Sequence, residues 1–390
     1  MTDQEDNKLV EALSALPENP SEEVIDELAD RIAENIELSD LATSDEPISD
    51  ALTSFSDLKL KEIDTEDGYE TKIEYIREYF ETEVDAKSTK DLTAAEVRGY
   101  NPWRKYDSLD REEPLADNTL KDDMYLYREF IQYLISNGYI PARMVGQVEI
   151  PSVDRQAGEG VDEKKVDPDL VQDILEYLRK YHYASLDHVT WELFASGGPR
   201  KSGCEGLDRT DYDKETGRIS FVNRDGELKK DDKSERTYAL PDIAVEAIED
   251  YIDEQRPNEV DEDGREPLLT AGSGRISKSN LQNIAYQWTR PCKVGRECPH
   301  DKDPEKCDAA QRKNWAFKCP SSRAPHHVRT GYITYHRNNG TSKDAIEARC
   351  DVSPRTQDIH YDLPDDEEQV ARASAEFEEE DADPNSGYQS

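Results

Sequence analysis

Apolar residues at helical spacing run through most of this chain, and strand-like alternation interrupts them in one stretch, roughly residues 207–240. Ile73, Ile76, Tyr79 and Phe80 share one helical face. A second helix is predicted from about Thr119 to Asn137, with Met124, Leu126, Phe130, Ile131, Tyr133 and Leu134 on its apolar side. Asn118 or Thr119 can cap it, and Gly138 ends it. Further on, Asp169 opens a helix carrying Leu170, Ile174, Leu175 and Leu178. The next carries Val189, Leu193 and Phe194 and stops at Gly197-Gly198-Pro199. Short strands follow near Leu207 to Tyr212, Arg218 to Val222 and Arg236 to Leu240. Asp242 then starts an amphipathic helix with Ala244, Ala247, Ile248 and Tyr251. This order predicts a mainly α fold with a small antiparallel β-sheet.

Composition matters here because it could deny such a chain a core. The 89 Asp and Glu against 49 Lys and Arg give a net charge of -40, and only 35% of residues are hydrophobic. The 20 tyrosines and 4 tryptophans supply the missing apolar area. The acidic excess is spread along the chain, which resembles proteins of salt-loving organisms, where charge maintains solubility. Basic patches are the usual mark of nucleic-acid binding. Counterion release weakens in strong salt, however, so a few well-placed Arg and Lys must then carry such contacts. No apolar run approaches the ~20 residues of a membrane span, and MTDQEDNKLVEAL lacks the pattern of a signal peptide. The expectation is a cytoplasmic protein with no membrane partner. Its six cysteines then read better as metal ligands or buried thiols than as a disulfide framework.

The expected organisation has five parts. Residues 1–67 form an acidic extension with weak helical patterns such as Val24, Leu28, Ile32 and Ile36. Residues 68–145 form a small all-helical domain, and 146–167 a linker rich in Gly, Pro and charge. Residues 168–364 form the mixed domain, and 365–390 an acidic tail that can hold a short helix with Val370, Ala373 and Phe377.

Four features of the mixed domain line up in order. Arg200 follows the Gly-Gly-Pro helix end. Lys233 lies in the turn before the strand ERTYALP, eight residues ahead of Pro241. PHHVRTGYITY puts His326 and Arg329 at i and i+3, on one face of a helix that Pro325 can start. Tyr361 stands in DIHYDLP, 32 positions beyond Arg329. This order resembles the catalytic domain of tyrosine recombinases and phage-type integrases, over about residues 168–376. The helical region 68–145 is similar in kind to that family's core-binding domain.

The resemblance implies a site-specific recombinase that breaks and rejoins double-stranded DNA through a covalent 3′-phosphotyrosine, self-associated as a dimer or tetramer on DNA. It implies catalytic roles for Arg200, Lys233, His326, Arg329 and Tyr361, with no cofactor for catalysis. Two guanidinium groups can clamp the phosphate oxygens bidentately as charge builds on them. Tyr361 would attack, Lys233 would protonate the leaving hydroxyl, and His326 would hold the phosphate or take the tyrosine proton. His327 reads as structural or solvent-facing.

Two places depart from the family's pattern. Where the family has a supporting His or Trp about nine residues before the Tyr, this chain has CDVSP, with Asp351 and Val352. Where it often has Glu three residues after the first Arg, this chain has Gly203, with Glu205 out of phase. A degenerate DNA-binding regulator of the same fold and a type IB topoisomerase are the alternatives, followed by a zinc-stabilised interaction protein.

A Cys-rich insertion, 291–320, precedes the His326 helix. Cys292, Cys298, Cys307 and Cys319 fall within 28 residues, with His300 close to Cys298. A structural zinc held by four thiolates, or by three and His300, is one reading; free thiols or an oxidised pair are the others. A metal would staple a segment of little apolar content and fix the entry to the His326 helix. Arg312, Lys313 and Lys318 could then contact DNA. Cys204 and Cys350 read as buried structural thiols.

Overall fold

The computed structural model describes residues 42, 44–61, 66–108, 113–153, 162–224, 228, 231–272 and 274–382. The helical pattern at Val24, Leu28, Ile32 and Ile36 lies outside them. The chain divides into two compact units, Met1–Asp154 and Arg155–Ser390.

The first unit is helical. α1 (Ile48–Lys61), α2 (Glu66–Thr82), α3 (Ala94–Pro102) and α4 (Asp117–Ser136) each turn one stripe inward. α1 buries Ile48, Ala51, Leu52 and Phe55, an i, i+3, i+4, i+7 set, so this core begins at Ile48, ahead of the expected residue 68. Ile73, Ile76, Tyr79 and Phe80 of α2 lie in the same core, and Tyr100 stacks on Tyr127 at 4.1 Å. α4 starts two residues before the predicted Thr119. Neither Asn118 nor Thr119 caps it; Ala116 precedes it, and Asp117 puts a negative charge in its first turn.

The second unit is mainly helical around a small sheet. Asp167 caps α5 (Pro168–Tyr181), accepting from the Asp169 N–H at 2.7 Å, and Leu170, Ile174 and Leu178 face inward. α6 (Leu186–Gly197) is buried nearly all round, which makes it the central helix. That position puts Glu192 inside the protein. Burial alone would raise its pKa, but hydrogen bonds from His188 and Arg179 hold the carboxylate below its usual range.

After α7 (Lys201–Glu205), β1 (Tyr212–Asp213), β2 (Arg218–Phe221) and β3 (Arg236–Ala239) form an antiparallel sheet in the order β1-β2-β3. Ile219 faces Tyr238 across the β2–β3 pair, and Ile219, Phe221 and Tyr238 are buried. The strand expected from Leu207 shrinks to its last residue. The Asp211 carboxylate accepts the Asp208 N–H at 2.8 Å, and this local bond turns the chain where strand pairing was predicted.

The remaining helices are α8 (Asp242–Asp250), α9 (Lys278–Trp288), α10 (Asp308–Gln311), α11 (Pro325–Asn338), α12 (Lys343–Cys350), α13 (Pro354–His360) and α14 (Asp366–Ala382). Trp191, Phe194, Ile219, Ile248, Leu281 and Trp288 pack in the main core. Ile333, Ile346, Cys350, Val352 and Tyr361 form a smaller one. Cys204 and Cys350 are both buried. Among the described residues no helix is long and apolar enough to cross a membrane.

Candidate active site

Gly198 ends α6 in the left-handed region at φ 52°, which an L side chain rarely adopts. The reversal points Arg200 away from the helix end. Its Nη1 donates to the Asp351 carboxylate at 2.5 Å, and its Nη2 to the Asp351 carbonyl at 2.9 Å.

α11 begins with Pro325 at its first position, where a missing N–H costs nothing. Arg329, one turn in, is 1% exposed. Its Nη1 donates to the Gly198 carbonyl at 2.8 Å and its Nη2 reaches the Asp351 carbonyl at 3.4 Å. Its Nε has no acceptor among the described residues.

Tyr361 ends α13 and is buried in the small core. Its ring centre lies 5.0 Å from the Arg329 guanidinium carbon and 5.2 Å from the His326 ring. The Thr334 hydroxyl donates to the Tyr361 carbonyl at 2.8 Å and fixes its backbone to α11. Arg200, His326, Arg329 and Tyr361 therefore meet in one place.

Lys233 does not reach that cluster by any described contact. It is exposed in the turn Asp231–Ser234 that leads into β3. Its neighbour Ser234 is the residue the turn delivers, donating to the Asp351 carboxylate at 2.8 Å.

His326 is open to solvent on one side and crowded on the other. That crowding first, and then the Arg329 guanidinium, push its pKa down to about 4. The imidazole is thus neutral at pH 7 and can accept a proton. His327 closes the first turn of α11 instead. Its Nδ1 accepts the Ala324 N–H at 3.0 Å, and its Nε2 lies 2.8 Å from the Asp162 carboxylate.

A strap from residue 162 to 167 crosses α11. The Val166 N–H donates to the His327 carbonyl at 3.0 Å, and a Cβ at Gly331 would fall 2.2 Å from the Val166 oxygen. Lys165 reaches past the nucleophile candidate to the Leu363 carbonyl at 2.9 Å and to Glu368 at 2.5 Å.

Asp351 is the residue the sequence reading missed. It caps α12 at φ 50°, a conformation Asp tolerates better than most residues. Its carboxylate and carbonyl join Arg200, Ser234 and Arg329, so it is a positioning residue for both arginines. In the sequence its place shows only as the absence of a His or Trp after the Cys350 helix end, and nothing there points to these partners. Asp351→Ala should lower folding stability by about 1.5–3 kcal/mol, the usual range for a bond to a charged group. A fall in the denaturant midpoint at constant slope would show it. An unchanged midpoint would remove Asp351 from this role.

The four cysteines of the insertion line one small cavity with His300, away from the arginine cluster. Among the described residues, no group of three or more His, Cys, Asp or Glu side chains already stands in metal-holding geometry.

No protein-family model and no curated protein matches the sequence. Solved structures do. The chain is similar to the Tn1549 transposon integrase in complex with a circular-intermediate DNA, with TM-score 0.55, 13% identity, and coverage of 84% of this chain and 98% of that one. It is also similar to a lambda integrase dimer bound to a COC′ core site, with TM-score 0.52, 12% identity, and coverage of 95% of this chain and 85% of that one. At such identities the likeness is one of architecture: the chain has the fold of the tyrosine recombinases, mainly helical with a small three-stranded antiparallel sheet.

Proposed function

We infer that this protein is a site-specific DNA recombinase that cleaves and rejoins double-stranded DNA through Tyr361. One observation carries the reading. Two guanidinium groups and a tyrosine, from segments 129 and 32 residues apart, converge beside a neutral imidazole. That set suits phosphoryl transfer without a metal.

In the proposed step the Tyr361 oxygen attacks phosphorus. A phosphotyrosine bond forms and the bond to the 5′ oxygen breaks. The tyrosine proton goes to His326, and Lys233 protonates the leaving 5′ hydroxyl once DNA brings the hairpin turn in. Arg200 and Arg329 hold the charge that develops on the non-bridging oxygens, each worth roughly 2.7–4 kcal/mol by analogy with oxyanion donors. The covalent bond conserves the energy for rejoining. Recombination joins two duplexes, so the working form is a dimer or tetramer on DNA.

The test is a pool of nicked duplexes, incubated with the protein in low and molar salt and resolved on a denaturing gel. A covalent adduct is expected. Its absence with wild-type protein across the pool would favour the second reading, a DNA-binding regulator without cleavage. One observation supports that alternative: the Asp351 carboxylate already holds the Arg200 fork that a phosphate needs.

His326 gives a pH prediction. A base with a depressed pKa is lost only as pH falls through about 4. Adduct formation should stay level from pH 7.5 to about 5 and fall below that. An inflection near 6.5, the ordinary histidine value, would show that the imidazole that acts is not held at a depressed pKa in the reacting complex.

A further inference from the structure

We propose that Cys292, Cys298, Cys307 and Cys319 bind one structural zinc ion that staples residues 291–320. The four thiols come from four separate turns. Cys292 lies in the turn that follows α9, Cys307 precedes α10, and Cys319 follows the turn Lys313–Lys318. Each cysteine carbonyl accepts the N–H three residues on: Gly295, Asp301, Ala310 and Ser322 in order. Every thiol thus sits at the head of its own bend, and all four line the same cavity.

The cavity measures about 20 Å³. About 10–15 Å³ is needed for a single water, so the space suits an ion and excludes an organic ligand. Arg290, Lys302 and Lys318 also line it. A zinc ion with four thiolates carries a net charge of about -2, and these three cations are placed to balance it. His300 lines the same cavity with its Nε2 2.8 Å from the Ser321 hydroxyl, and the four thiols make up a tetrahedral set without it. Soft thiolates in tetrahedral number select zinc over hard cations.

The segment needs such a staple. All thirty residues of 291–320 are described, and the two that are buried are Ala309 and Ala316. Phe317, its largest apolar side chain apart from Trp315, is 54% exposed. A stretch without a core of its own depends on a cross-link or a metal. Its geometry matters downstream as well. The Arg323 N–H donates to the Thr289 hydroxyl at 2.8 Å, tying the exit of the segment to the end of α9 just before α11 begins.

The side chains ring the cavity without converging, as the lack of any ready three-ligand group among the described residues shows. Binding therefore requires the thiols to rotate inward, and four protons leave as the four Zn–S bonds form.

Metal analysis and native mass spectrometry of the full chain, purified under reductant with zinc in the medium, should find one zinc per chain. Cobalt exchanged into the site should give the visible spectrum of a tetrahedral thiolate complex. The double variant Cys292→Ser, Cys319→Ser should lose the metal, and a chelator should lower the melting temperature of the wild type until zinc is restored. A metal-free chain whose four thiols react freely would overturn the proposal. So would iron in place of zinc, a non-reduced mass short by two hydrogens per bridged pair, or a double variant that keeps its zinc. If the double variant does not fold, the wild-type stoichiometry and the cobalt spectrum decide. None of these measurements involves DNA, so the result is independent of Tyr361.

Discussion

Tyr361→Phe should form no covalent adduct with nicked duplex DNA while any binding to that DNA stays at the wild-type level. The substitution removes one oxygen and leaves the ring. The apolar contacts with Ile333, Ile346, Cys350 and Val352 remain, as does the bond from Thr334 to the backbone carbonyl. The fold is therefore preserved, and binding, which rests on cationic contacts to phosphates, should change by less than about twofold. Chemistry has no substitute for the lost oxygen, so adduct should fall to background. Adduct that persists in the variant would move the nucleophile to another tyrosine, and the argument from the His326 and Arg329 geometry would fail with it.

Arg329→Lys should have the next largest effect. Lysine keeps the positive charge but offers a point where arginine offers a planar fork. Arg329 spends that fork on the Gly198 carbonyl and toward Asp351, while its buried Nε has no acceptor among the described residues. Loss of one preorganised donor at a developing oxyanion typically costs about 10²–10³ in rate, and the same range is expected for single-turnover cleavage here. Stability should fall too, by about 1–3 kcal/mol, because the Gly198 carbonyl loses its donor. Measuring cleavage well below the melting transition separates the two effects. A variant that folds and cleaves within tenfold of wild type would remove Arg329 from the phosphate clamp.

Much of the site could be read in advance because its parts announce themselves locally. Pro325, His326 and Arg329 lie within one helical turn, and that spacing alone puts both side chains on a common face. Gly197-Gly198-Pro199 marks a helix end in any context. Asp351 gave no such signal. Its importance depends on a positive φ and on partners 151 and 117 residues away, neither of which any local pattern encodes. Lys233 is a different case, named from its turn rather than from a contact. Its place before β3 was legible, yet Ser234 is the residue of that turn that touches the cluster. The first strand failed because the Asp208–Asp211 bond competes with sheet pairing, and α1 was undervalued because its acidic surroundings masked four well-spaced apolar residues. The acidic balance of the whole chain was the least informative feature, since Arg200, Arg236, Arg329 and Arg349 cluster regardless of it.

The strap at residues 162–167 fastens to two elements of the site: to α11 at the His327 carbonyl through Val166, and to the chain after Tyr361 at Leu363 and Glu368 through Lys165. Within two adjacent residues the same segment therefore reaches both the helix that presents His326 and Arg329 and the peptide just beyond Tyr361.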